Sequence, residues 1–231
     1  SVSNQRSDKS IASSNMFPTE LNYKIKKSAI IAVLVIDDAA NAVPLARALL
    51  RGGIDAMELT LRTNAALGAL RAIREDVPEM LAGIGTVLTT GQVDEVVAAG
   101  AAFGVAPGLN RNVVEYAQSK GLPFGPGIAT PSDIEQGIEL GCRTLKFFPA
   151  ETAGGLNHLR NMAAPYQHLK IDFIPLGGLN ATNMRDYLAS PLISAIGGSW
   201  IAKRELIAAK DWNQIEANAR EARQNADSVR G

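Results

Sequence analysis

The sequence predicts an α/β fold, a single (β/α)8 (TIM) barrel with a short N-terminal helix, and three observations support it. Short apolar runs alternate with amphipathic segments at intervals of roughly 20 to 27 residues, the pattern of βα units stacked into a parallel sheet. There are eight such runs, enough to close a barrel and remove both sheet edges. The 231 residues also fit one such barrel, which typically takes about 250, so a second domain is not required. An open doubly wound sheet is the alternative. The GIGTVL stretch, residues 83–88, begins like its dinucleotide fingerprint, but Leu88 stands where the third glycine belongs and no suitably placed acidic residue ends the next strand.

Residues 1–18 are rich in Ser and Asn and poor in large apolar side chains, which predicts a flexible extension ahead of the barrel domain, residues 19–231. Thr19 is placed to cap a short helix over residues 20–27. The eight strand candidates follow in order: AIIAVLV from Ala29, AMELTL from Ala56, MLAGIGT from Met80, AFGVAP from Ala102, PFGPGI from Pro123, RTLKFFP from Arg143, KIDFIPLGG from Lys170 and SAIGGSW from Ser194. Each is followed by a helical pattern. The first of these helices, residues 39–50, ends at Gly52-Gly53, where glycine accepts the left-handed conformation of a C-cap.

Lys plus Arg and Asp plus Glu both total 23, so no net field attracts nucleic acid or an anionic membrane. No stretch reaches the roughly 20 apolar residues of a membrane span, and the N-terminal segment lacks the apolar middle of a secretory signal. The single cysteine, Cys142, fits a reducing compartment, and a cytoplasmic protein is the expectation. His158 and His168 lie outside metal-binding spacings and Cys142 has no cysteine or histidine nearby in the sequence, so packing or surface roles are expected for all three.

In a barrel of this kind the active site lies at the C-terminal ends of the strands, so polar residues there are the functional candidates. On the sixth strand, period-two alternation turns Leu145 and Phe147 outward and points Lys146 and Phe148 inward. Burial disfavours the ammonium form of Lys146 and favours the neutral amine, which attacks carbonyls. On the second strand the same alternation leaves Glu58, Thr60 and Arg62 inside. Glu58 is suited to general acid and base work, and Arg62 to a bidentate clamp on a substrate carboxylate. A structural ion pair between Glu58 and one of the two cations is the competing reading; it accounts for two of the three charges.

Thr86, ending the third strand, can bond a keto acid or merely cap a turn. Pro107 and Gly108, after the fourth strand, imply tight backbone near the cavity mouth, with ordinary turn chemistry as the rival reading. Gly177-Gly178 and Gly197-Gly198-Ser199 end the seventh and eighth strands, where backbone N–H groups and a serine hydroxyl can receive a phosphate.

Five segments in order, ELTLRT at residues 58–63, GIGTVL at 83–88, APGL at 106–109, KFFPAE at 146–151 and GGSW at 197–200, resemble the 2-keto-3-deoxy-6-phosphogluconate (KDPG) and 4-hydroxy-2-oxoglutarate (KHG) aldolases. The resemblance spans roughly residues 30–222. It implies a class I, Schiff-base aldolase in which Lys146 bonds pyruvate covalently, Glu58 is the acid and base, and Arg62 binds the pyruvate carboxylate. Thr86, Pro107 and Phe148 would line the keto-acid site, and Gly177, Gly178, Gly198 and Ser199 the phosphate site. It further implies a homotrimer, no metal or other cofactor, and reversible cleavage of KDPG to pyruvate and glyceraldehyde 3-phosphate, with KHG to pyruvate and glyoxylate as a second reaction. Two departures bear on the substrate. Leu176 stands where well-known phosphogluconate members carry threonine, and Ala106 where they carry serine. Loss of a hydroxyl contact costs on the order of 1 kcal/mol, which keeps open the phosphogalactonate epimer or a related sugar acid. Outside this chemistry stand an isomerase or epimerase on the same barrel and a noncatalytic sugar-acid-binding barrel.

Overall fold

The computed structural model describes residues 17–231 as an α/β fold of parallel strands with helices between them. It opens with α1 (Thr19–Ser28), β1 (Ile30–Leu34), α2 (Ala42–Arg51), β2 (Ala56–Thr60), α3 (Ala66–Asp76), β3 (Leu81–Gly85), α4 (Thr90–Ala98), β4 (Gly104–Val105) and α5 (Arg111–Ser119). It continues with β5 (Phe124–Gly125), β6 (Gly127–Ile128), α6 (Pro131–Glu139), β7 (Thr144–Phe147), α7 (Gly155–Ala163), β8 (Asp172–Pro175), α8 (Met184–Leu188), β9 (Ile196–Gly198), α9 (Arg204–Ala208) and α10 (Trp212–Arg230).

The strands form two curled sheets, one ordered β5-β4-β3-β2-β1-β9 and the other β6-β7-β8. The fifth expected strand is thus broken in two. Pro126 has no N–H to give a ladder, so the chain pairs with β4 before it and with β7 after it, while the Pro126 carbonyl still accepts the Lys146 amide at 2.9 Å. The other seam between the sheets is held by a parallel bridge from Phe173 to Ile193, with the Ser194 amide donating to the Phe173 carbonyl at 3.0 Å. Arg230, near the end of α10, braces this seam by donating to the carbonyls of Leu188, Ile193 and Ser194.

Strands β1, β2 and β7 are buried along their whole length, as expected where helices cover one face and side chains fill the other. The main apolar core lies between sheet and helices; a smaller cluster around Phe17, Ile31, Phe103 and Val105 fills the inside of the curl. Local signals set helix starts: Thr89 and Gln92 form a capping box on α4, and Thr130 and Asp133 do so on α6.

Two N-terminal expectations need correction. Thr19 is the first residue of α1 and Pro18 holds the cap position, without a side-chain bond, so Thr19 is no cap. The expected flexible extension ran to residue 18; residues 1–16 of it lie outside the described residues, but Phe17 is only 1 % exposed and packs on Phe103 with ring centroids 6.2 Å apart. At the end of α2 the expected left-handed glycine is present as Gly53, at φ 87°; Gly52 is right-handed and lets α10 approach, since a Cβ there would collide with Ala219. No helix among the described residues is long and apolar enough to cross a membrane.

Candidate active site

Register places the two central charges. β7 presents Lys146 beside Gly127 of β6 and Ile174 of β8, and β2 presents Glu58 between Val33 of β1 and Gly83 of β3. Their side chains meet inside the curl. Lys146 Nζ lies 3.3 Å from Glu58 Oε1 and 3.4 Å from Oε2, with Glu58 5 % and Lys146 8 % exposed. The amine also stands 5.8 Å from the centre of the Phe148 ring, on the same inward side as the alternation predicts. A buried pair of this kind is costly to desolvate, and removing either partner leaves the other without its counter-charge.

Two glycines of β3 make room for this arrangement. A Cβ on Gly83 would overlap the Phe103 ring, and one on Gly85 would sit 2.5 Å from Glu58 Oε1. The glycine pair in GIGTVL therefore serves side chains crossing the interior, which gives a physical reason for the pattern other than a dinucleotide. Sequence reasoning missed this, and it also missed the apolar floor of the cavity, formed by Phe17, Ile31, Phe103, Val105 and Ile174 beneath Glu58 and Lys146. The inward alternation of strands β1, β4 and β8 was the available signal for Ile31, Phe103, Val105 and Ile174; Phe17 belongs to no strand and left none.

The other expected residues stand at or just past the strand ends. Arg62 is exposed and makes no ion pair or side-chain hydrogen bond among the described residues, so its guanidinium is available to a ligand. Thr60, in contrast, is consumed by the fold: its hydroxyl donates to the Leu34 carbonyl at 2.9 Å. Thr86 is half-buried just past β3. The Pro107 carbonyl lies where a Cβ on Gly127 would be, and the Gly127 amide donates to the Gly108 carbonyl at 3.1 Å, so this turn packs directly on the strand beside Lys146.

Gly177 and Gly178 have φ of 106° and 81°, conformations that favour glycine. They knit the loop after β8 to the loop after β7, with Glu151 donating its amide to the Gly177 carbonyl at 3.0 Å and Ala150 its amide to that of Leu176 at 2.9 Å. The Tyr187 hydroxyl of α8 donates to Glu151, and burial together with that carboxylate pushes the phenol far above its ordinary range. Gly198 is buried under Trp200 and Ile201, and Ser199 is exposed beside it.

His158 stacks on Phe147 on the outer side of β7, with ring centroids 6.5 Å apart, a helix-packing role. Cys142 is buried, and burial pushes its thiol up to about 12 despite the opposing charge of Arg143. Among the described residues no group of three or more His, Cys, Asp or Glu could hold a metal ion.

Comparison with known proteins decides the family. Residues 21–218 match the family model for KDPG and KHG aldolases. The chain belongs to this family. It is 42 % identical over 193 residues to the 2-dehydro-3-deoxy-phosphogluconate aldolase of Dickeya dadantii, covering 84 % of this chain and 90 % of that protein. It is 41 % identical over 197 residues to the KHG/KDPG aldolase of Escherichia coli K12, covering 85 % and 92 %. Among solved structures it resembles the KDPG aldolase of Legionella pneumophila, captured with pyruvate as a covalent carbinolamine intermediate. The TM-score is 0.83 at 38 % identity, covering 87 % of this chain and 97 % of that one. Membership makes this chain an aldolase, a carbon–carbon lyase.

Proposed function

We propose that this aldolase reversibly cleaves KDPG to pyruvate and glyceraldehyde 3-phosphate through a Schiff base on Lys146, and that it also accepts KHG. The observation that carries the reading is the buried contact of Lys146 Nζ with both oxygens of Glu58, at 3.3 and 3.4 Å. An amine and a carboxylate so placed can divide the work. Lys146 attacks the C2 carbonyl of the substrate, and loss of water from the carbinolamine leaves an iminium. Glu58 takes the proton of the C4 hydroxyl as the C3–C4 bond breaks, and the electron pair of that bond passes into the iminium to form an enamine. The aldehyde leaves, the enamine takes a proton at C3, and water releases pyruvate from Lys146.

Arg62, exposed and unpaired at the end of β2, is the carboxylate clamp in this reading, and Thr86, Pro107 and Phe148 border the keto acid. Gly177, Gly178, Gly198 and Ser199 offer backbone and hydroxyl donors to the phosphate at the strand ends where such barrels hold it. The bridged seams at Pro126 and at Phe173–Ile193 support reading the two sheets as one closed (β/α)8 barrel. No metal or other cofactor takes part, and the enzyme works as a homotrimer in the cytoplasm, a reading that rests on the resemblance and on composition.

Borohydride reduction in the presence of pyruvate tests the central step. One reduced pyruvate on the peptide containing Lys146 is expected. Enzyme that releases pyruvate from KDPG in a lactate dehydrogenase-coupled assay, yet gains no adduct, overturns the Schiff-base reading. Side-by-side kinetics on KDPG, its phosphogalactonate epimer and KHG test the substrate, with comparably weak rates on all three counting against it.

A further inference from the structure

Beneath the Lys146–Glu58 pair the cavity walls are apolar except at one place. Thr144 precedes Lys146 by two residues on β7 and so shares its inward face. It is 1 % exposed, it borders the same cavity as Lys146 and Glu58, and its hydroxyl has no hydrogen-bond partner among the described residues. A buried hydroxyl left unbonded is destabilising, and buried polar side chains nearly always find a protein group or a water. On the β8 side Thr144 stands opposite Asp172 in the ladder, and no backbone or side-chain group among the described residues bonds its hydroxyl.

The cavity is narrow, with room for about one water. An internal water is retained where it meets two or more polar partners, and Thr144, Glu58 and Lys146 all border this one small space. The other side chains of the lining, among them Ile31, Phe103, Val105 and Ile174, are apolar and cannot bond it.

We infer that a single internal water, bonded to Thr144 Oγ1, sits beneath the Lys146–Glu58 pair, and that Thr144 acts through it as a positioning residue. The Thr144 hydroxyl donates to the water and the water donates to the Glu58 carboxylate from below. This holds the carboxylate in one orientation, with its upper lone pairs directed at the amine and the substrate. The inference rests on the aldolase reading of the same pair. It adds a side chain that no substrate touches, and so predicts an effect on turnover without an effect on binding.

The test compares the full-length enzyme with Thr144→Val, which keeps the shape and removes the hydroxyl, and with Thr144→Ser, which keeps the hydroxyl. Thr144→Val is expected to lower kcat about tenfold with KM changed less than about twofold, and Thr144→Ser to stay within about twofold of the parent in both. Equal kcat in the parent and Thr144→Val overturns the inference, as does a fall that Thr144→Ser fails to rescue. A crystal structure of the parent enzyme gives an independent decision even if Thr144→Val does not fold. Water density within hydrogen-bonding distance of Thr144 Oγ1 supports the inference, and its absence at high resolution overturns it. Borohydride trapping of pyruvate on the parent separates the two levels: no adduct on Lys146 defeats the aldolase reading itself, whereas normal trapping with an unaltered Thr144→Val defeats only the water.

Discussion

The interior of the curl has two storeys of opposite character. The lower one, around Phe17, Ile31 and Phe103, is apolar except for Thr144 and is closed by Phe17; the upper one, on β2 and β7, holds Glu58 and Lys146 with Phe148 beside them. The lower storey is where stability resides, since large rings there bury area and pack against one another. The upper storey sacrifices stability, because the same space filled with apolar side chains would be at least as stable as a desolvated ion pair. The contrast fits the role proposed for the two charges, with an apolar floor that keeps bulk water from them below.

The contrast predicts that the two storeys can be broken separately. Lys146→Arg keeps a cation opposite Glu58 but removes the attacking amine, so kcat/KM should fall at least about 10³-fold and pyruvate trapping should vanish. Thermal stability should drop by no more than the roughly 1–3 kcal/mol of overpacking. Residual activity within tenfold of the parent would mean that the amine is not the nucleophile.

Phe17→Ala attacks the floor. Removing a buried ring costs about 3–5 kcal/mol, and at roughly 2–4 °C per kcal/mol for a domain of this size the melting temperature should fall by about 6–20 °C. Pyruvate trapping on Lys146 should survive at temperatures where the variant is folded. A melting temperature within 2 °C of the parent would show that the segment before α1 is not a structural plug.

The division into storeys was only half legible in the sequence. Glu58, Lys146 and Phe148 could be placed by period-two alternation alone, because a strand carries its side chains to alternate faces whatever its neighbours are. Partnership is different: alternation brought Arg62 to the same face as Glu58, yet the structure leaves Arg62 exposed just beyond the end of β2 while Lys146 takes the carboxylate. The floor was hidden because Phe17 comes from a segment whose composition signals flexibility, and its burial is decided by a long-range contact with Phe103. The break at Pro126 was written in the sequence, as a proline inside a strand candidate, and its reading required knowing that β5 and β6 face different partners. Glycines 83 and 85 looked like a ligand motif because their reason for being small lies on other strands.

Leu176 joins the two storeys, and the smallest effect should arise there. It follows β8, borders the cavity, and lies so close to Gly197 that any Cβ on that glycine would overlap it. An apolar side chain at this height extends the floor's character upward into the level where the substrate's hydroxyls are expected. Leu176→Thr restores a hydroxyl to that wall, and one hydrogen bond to a neutral group is worth about 1 kcal/mol, or roughly fivefold. The ratio of kcat/KM for KDPG over its phosphogalactonate epimer should therefore shift by about fivefold, while trapping of pyruvate, which has no C4 hydroxyl, stays unchanged. A parallel loss on both epimers would instead mean that Leu176 acts only by packing against Gly197, and that stereochemical preference is set elsewhere on the rim.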